Sequence, residues 1–329
     1  MARGAWREGR PRPARPLRLR GRGRRRRARG RHGAAGRAAP AERGDGVNAR
    51  LADHARGLVW GEGPRWHKGA LWLSDTQGGR LWTDASGRWT GTAADPVSNG
   101  LWFLPDGRLV GALMRDRRVG VWTGTGWDTY ADLSGLGVGP LGDMVGDAAG
   151  NLYVDDVAFD AAAGEPPAPG RIILVRPDGS AEVAAEGVEF PNGMALLDDG
   201  ATLVVAETAR QRLTAFTVGA DRTLSAPRPY ADIAALVGGA ARPDGIWPAR
   251  DGGVWVATTT GQAVAHVRDG ALVTAVPTAP DFPVACCAAD DGTLFVTLAS
   301  TDGEPLFAAL ARRAVTTRVV TVAWDGGAP

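Results

Sequence analysis

The chain has 329 residues, 44% of them apolar and 22% charged, a composition suited to one large globular domain or two small ones. No stretch approaches the roughly 18 consecutive apolar residues of a membrane span. Its two cysteines are neighbours, Cys286 and Cys287, which excludes a disulfide framework and a zinc-type spacing and predicts a reduced, cytoplasmic protein. The formal charge of +2 hides an asymmetry: residues 1–50 carry 17 arginines against 3 acids, and the remainder carries 21 basic against 33 acidic side chains.

Residues 1–50 contain neither an apolar run nor an apolar period, and so predict a disordered segment that buries no core. Nucleic acid is not an expected partner; only here, along the run Arg24 to Arg27, could counterion release hold it or another acidic surface. A twin-arginine export signal would need an apolar stretch after the arginines, and none follows. Lys68 is the only lysine in the chain, a bias that predicts a GC-rich gene read from a start upstream of the folded protein's own. The folded part is expected to be residues 51–329.

Along that part a tight-turn glycine followed by a short apolar strand recurs six times, in HKGALWLSD, PDGRLVGAL, AAGNLYVDD, DDGATLVVAE, DGGVWVAT and DDGTLFVTL. The turn glycines are Gly69, Gly107, Gly150, Gly200, Gly252 and Gly292, spaced by 38, 43, 50, 52 and 40 residues. Repeats of this length, built of strands and Gly/Asp turns with no 3.6-residue apolar period, predict an all-β fold. A strand precedes each turn and further strands follow, as in RIILVRPDG and AVAHVRDG, giving a six-bladed β-propeller of four-stranded antiparallel blades. The last unit, from Pro283 to Trp324, is expected to be completed by a strand near Leu58, closing the ring. Trp72, Trp82, Trp102, Trp122 and Trp255 fall on blade strands and predict packing between sheets.

The innermost strand of a propeller blade begins at one mouth of the central channel. Eight positions before the turn glycine stand Asn99, Gly142, Asn192 and Asp244, and seven before the first stands Glu62. A glycine follows most of them (Gly63, Gly100, Gly193, Gly245) and lets the chain turn into the strand. Asn-Gly and Asp-Gly are also ordinary turn dipeptides, so it is the shared register that carries the argument. Carboxylate and amide oxygens gathered at a narrow mouth are costly to desolvate without a positive charge among them. Glu62, Asn192 and Asp244 offer only oxygen, which suits one divalent cation: Ca²⁺ first, with Mg²⁺ or Mn²⁺ as alternatives.

Other chemistries lack their motifs. Residues 137–142, GVGPLG, match a dinucleotide fingerprint by letter, but Pro140 lies inside and no βαβ unit surrounds them. There is no G-x-S-x-G, no H-E-x-x-H and no G-x-x-x-x-G-K-[ST], and His32, His54, His67 and His266 are scattered.

Four stretches, GEGPRWHKGALWLSD, DMVGDAAGNLYVDDVAFD, FPNGMALLDDGATLVVAET and RPDGIWPARDGGVWVA, resemble the senescence-marker-protein/gluconolactonase/luciferin-regenerating-enzyme family of six-bladed propellers over about residues 56–300. The resemblance implies a divalent-metal-dependent hydrolase of a lactone or related ester, with Zn²⁺ joining the possible cations. It places the metal on Glu62 in GEGP, Asn192 in PNGM and Asp244 in PDGI, with Asp244 also transferring protons. Family members carry Arg-x-Asn-Asp on the third blade, the Arg and Asn holding a sugar lactone; here the aligned residues are Pro140, Leu141, Gly142 and Asp143. That departure argues against an aldonolactone and suits a less anionic ligand. Asp143, Asn99 and Asp160 are candidate substrate contacts or supports for a ligand. Two alternatives stay open at this point: a propeller that binds a small molecule or protein without catalysis, and an aryl-ester or organophosphate hydrolase.

Overall fold

The computed structural model describes residues 49–160 and 164–324, and the expectations for the arginine-rich segment up to residue 48 lie outside them. The described residues form six antiparallel sheets of four strands. Blade 1 comprises residues 61–93, blade 2 98–132, blade 3 141–188, blade 4 191–232 and blade 5 243–277. Blade 6 comprises residues 282–324 with Ala49–Leu58 as its outermost strand. That strand pairs with Thr316–Trp324 from Ala49 opposite Trp324 to Leu58 opposite Thr317, so the two ends of the propeller share one sheet. The inner strands Gly61–His67, Ser98–Phe103, Leu141–Gly146, Pro191–Leu197, Pro243–Pro248 and Phe282–Ala288 each pack on the next, and the last packs on the first.

The sequence repeat has a backbone cause. Gly69, Gly107, Gly150, Gly200, Gly252 and Gly292 all have φ between +80° and +92°, in the left-handed region, where a Cβ is strained. Each sits in the hairpin between the first and second strands of its blade. The core lies between adjacent sheets: Val204 and Ala206 of blade 4 meet Ile246 and Val256 of blade 5, and Leu71 and Leu73 of blade 1 meet Cys287 and Val319 of blade 6. Cys286 and Cys287 are buried, unbridged packing residues. Helices are short, and among the described residues none is long and apolar enough to cross a membrane.

Most of the tryptophans pack as expected. Trp82 stacks on Trp89 at 5.6 Å, Trp72 meets Phe103 edge-on at 5.8 Å, and Trp122 meets Trp127 edge-on at 5.0 Å. Trp102 does more than fill a wedge. The guanidinium of Arg65 from blade 1 lies 5.4 Å from its ring and 5.5 Å from the ring of Trp247 from blade 5. Arg65 Nη2 also donates to Asp143 Oδ1 at 2.9 Å and to the Met144 carbonyl at 2.6 Å, both on blade 3. Side chains from four blades thus fill the channel at this level, with Arg65 only 4% exposed.

Candidate functional site

One backbone device recurs at the start of the inner strands. Register breaks between Glu62 and Arg65, Ser98 and Leu101, Leu141 and Met144, Pro191 and Met194, Pro243 and Ile246, and Pro283 and Ala285. In blades 2 to 5 two residues there oppose one on the second strand, a bulge that re-aims a side chain and sharpens the twist. Asn99, Gly142, Asn192 and Asp244 are the first of the two. Gly100, Gly193 and Gly245 are the second in their blades, and each faces the next inner strand at van der Waals limit. A Cβ would stand 2.5 Å from Met144 N at Gly100, from the Asp244 carbonyl at Gly193 and from Ala285 Cβ at Gly245. Glycine here is a requirement of close backbone approach, and it draws the polar positions into a narrow ring. Blade 6 places Val284, fully buried, at this level and adds no polar group.

Glu62, Asn192 and Asp244 come together. The indole N–H of Trp60 donates to Glu62 Oε1 at 2.8 Å. Thr259 Oγ1 donates to Asp244 Oδ2 at 2.8 Å, and the Asn192 side chain lies close enough to the Asp244 carboxylate to lower its pKa. Asp244 Oδ1 is buried without a partner among the described residues. Burial pushes the Glu62 carboxyl well above the usual range, the charge of Asp244 adds to this, and the Trp60 hydrogen bond opposes it. Burial likewise pushes Asp244 up to about 7 against the Thr259 hydrogen bond and the nearby Asn192 side chain. Both groups are over nine-tenths buried, Glu62 9% and Asp244 8% exposed, so each charge is felt by the other with little screening.

Asp143 and Asp155 exchange the roles their positions suggest. Asp143, a candidate from the sequence, turns away to pair with Arg65 and accepts the N–H of Met144 at 2.8 Å. Asp155 lies on the second strand of blade 3, Leu152–Asp156. Its carboxylate accepts the N–H groups of Gly142 at 2.5 Å and Asp143 at 2.8 Å, filling the bulge from the side. A Cβ on Gly142 would stand 2.6 Å from Asp155 Oδ2, so the asparagine of related sequences has no room. The signal was present: Asp155 stands where the second strands of blades 2, 4 and 5 have Ala112, Ala206 and Ala257.

Above the ring lies a cavity of about 300 Å³. Glu62, Asn99, Asn192 and Asp155 line its narrow end, and Trp60, Met114, Val157, Phe159 and Phe190 form most of its walls. Asp160 lies at the mouth with its carboxylate 2.7 Å from Arg115 Nη1. Arg115, which no motif marks, brings a cation from blade 2's side to the mouth that blade 3 leaves without one. Among the described residues no three His, Cys, Asp or Glu side chains form a metal-holding cluster. The convergent set here is two carboxylates with an amide.

A family model described as SMP-30/Gluconolactonase/LRE-like region matches residues 60–300. No curated protein sequence matches the chain. Among solved structures, a luciferin-regenerating enzyme is 20% identical, with a TM-score of 0.70 over 85% of this chain and 98% of its own. A calcium-binding protein, regucalcin, from Agrobacterium tumefaciens is also 20% identical, with a TM-score of 0.66 over 82% of this chain and 95% of its own. A gluconolactonase from Xanthomonas campestris is 22% identical, with a TM-score of 0.65 over 83% of this chain and 90% of its own. Likeness at this identity speaks for the propeller alone, whereas the family match spans nearly three-quarters of the sequence, including every inner strand. The chain belongs to the SMP-30/gluconolactonase/LRE-like family.

Proposed function

We propose that this protein hydrolyses a lactone or related carboxylic ester with the help of one divalent cation held by Glu62, Asn192 and Asp244. The observation that carries this reading is a pair of buried carboxylates close enough to raise one another's pKa: Glu62, which lines the cavity, and Asp244, which has an unpartnered oxygen. Glu62 and Asp244 raise each other's cost of ionisation, and a nearby cation removes that cost for both. The donors are oxygens throughout, which favours Ca²⁺ over a thiolate-seeking metal. The Agrobacterium regucalcin, a calcium-binding protein, and the Xanthomonas gluconolactonase support the same reading.

When bound, such a cation polarises a carbonyl and lowers the pKa of water. The chain supplies the rest. Thr259 holds the Asp244 carboxylate in one orientation, and a carboxylate beside the attacking water takes up a proton and returns it. In hydrolysis a C–O bond forms from water to the carbonyl carbon and the ester C–O bond breaks. The proton lost by water passes through Asp244 to the leaving oxygen, giving a hydroxy acid. Trp60 fixes Glu62, and the aromatic walls limit water in the cavity.

The test joins elemental analysis with a pH-indicator assay on γ- and δ-lactones. Expected are one divalent ion per chain, hydrolysis lost to a chelator and restored by the ion, and a weaker ion content in Asp244→Asn. Metal-free protein whose rate ignores the chelator would overturn the reading. Bound metal with no turnover of any lactone or ester would leave a binding propeller instead.

A further inference from the structure

The cavity's polar and apolar parts are unevenly free. Asp155 uses both oxygens on backbone N–H groups, Glu62 Oε1 is taken by Trp60, and Asp160 is paired with Arg115. Among the described residues the Asn99 and Asn192 amides and the second oxygen of Glu62 are left for a ligand, too few to match every hydroxyl of a polyhydroxylated substrate, and each unmatched one is costly. The walls, in contrast, are uncommitted apolar surface. Phe159, 7% exposed, meets the ring of Phe190 edge-on at 5.6 Å and 69°. Phe190 has φ +55°, in the left-handed region, which a bulky side chain seldom adopts. It is held there because Thr208 N–H donates to its carbonyl at 3.1 Å, and because Glu207 accepts the N–H of the preceding Glu189 at 2.9 Å. Strain kept at a bulky residue on a cavity wall is a mark of a site whose shape matters. The volume, about 300 Å³, is at the low end for small-molecule sites.

We infer that the site, taken as the hydrolase just proposed, accepts lactones or esters carrying an alkyl or aryl substituent, which seats against Phe159, Phe190, Met114 and Trp60, and rejects aldonolactones. The carbonyl end faces Glu62 and Asn192, and the apolar group points toward the aromatic pair. Arg115 and Asp160 close the mouth over it.

Two series test this, one reactive and one inert. Hydrolysis is compared across δ-valerolactone, its alkyl-substituted homologues, an aryl-fused δ-lactone and glucono-δ-lactone. Binding is measured by tryptophan fluorescence and calorimetry with the corresponding lactams, which are not turned over. Expected is a gain of about fourfold in kcat/KM and in lactam affinity per added methylene over the first few carbons. Glucono-δ-lactone should fall at least 100-fold below the best alkyl lactone. Phe190→Gly, which suits the left-handed backbone, should flatten both series about tenfold, and Met114→Ser should flatten them less. Flat series, absent lactam binding, or equal treatment of gluconolactone would overturn the inference. Ordered lactam binding without turnover of any lactone would sustain it and overturn the hydrolase reading instead.

Discussion

Blades 3 and 5 start their inner strands with the same bulge and put opposite chemistry into it. In blade 5 the pair is Asp244-Gly245, opposite Ala257: a carboxylate turns into the site and a glycine lets the next strand close in. In blade 3 the pair is Gly142-Asp143, opposite Asp155: the glycine comes first, the acid on the facing strand fills its space, and Asp143 is spent on Arg65. The volume and the charge have moved across the ladder while the backbone has stayed. A bulge position therefore specifies where a polar group can be delivered, and the two strands together decide which residue delivers it. Four acids, Glu62, Asp143, Asp155 and Asp244, are close enough to repel one another, and only Asp143 is paired with a cation, Arg65.

The widest separation between the two blades is expected from their acids. Asp244→Asn should lower kcat/KM on a lactone about 10³-fold, within the range for losing a group that transfers protons. Asp143→Asn should keep the activity of the folded protein within tenfold and instead cost about 3–5 kcal/mol of stability, because Arg65 is left buried beside a neutral partner. Urea unfolding and steady-state kinetics on both variants measure this, and equal loss of activity in the two would erase the distinction.

Titration comes next in size. Burial lifts the Asp244 carboxyl of the folded chain to about 7, above its ordinary value of 3.8. Below both values folded and unfolded chains are protonated alike and nothing is lost. Between about pH 4 and 7 the unfolded chain releases a proton the folded chain retains, so the chelated protein loses stability as pH rises through this window. Asp244→Asn should remove that loss and stabilise the chelated protein by roughly 2–4 kcal/mol more at pH 8 than at pH 4. A gain independent of pH would place the effect elsewhere.

Packing at the bulges gives a smaller contrast. Gly245→Ala pushes a methyl into Ala285 of the neighbouring strand and should cost about 1–3 kcal/mol. Gly142→Asn should cost a similar amount alone, and its cost should fall by about 1 kcal/mol or more when Asp155→Ala makes room, a coupling read from a double-mutant cycle. Strict additivity would show that Asp155 is not what excludes a side chain at Gly142. The smallest effect is expected at the mouth, where Arg115→Ala breaks a solvent-facing ion pair and should change stability by less than about 1 kcal/mol in thermal unfolding.

Much of this was open to reading along the chain. The six turn glycines mark positions where only a residue without Cβ sits easily, and a repeat of that demand every 38 to 52 residues is a local signal of a propeller. The residues eight positions upstream follow because the hairpin between first and second strands has nearly constant length. Their meeting in one ring could be inferred from register alone. Arg65, Asp155 and Phe190 could not. Arg65 lies in the GEGPRW stretch like any surface arginine, and only the closing of the ring brings Trp102, Trp247 and Asp143 around it. Asp155 looks like one of several acids after a strand until the ladder sets it opposite Gly142. Arg115 and Asp160 are 45 residues apart in sequence and meet only across two blades.

The sequence by itself thus determined the repeat, the strand pattern, the family and the ring of Glu62, Asn99, Asn192 and Asp244, because each depends on backbone demands that are local or periodic. Only the tertiary structure decided which acids face the cavity, which are neutralised by Arg65, and that the walls are aromatic. Those outcomes depend on side chains from different blades competing for the same few ångströms, and no spacing along the chain encodes the winner.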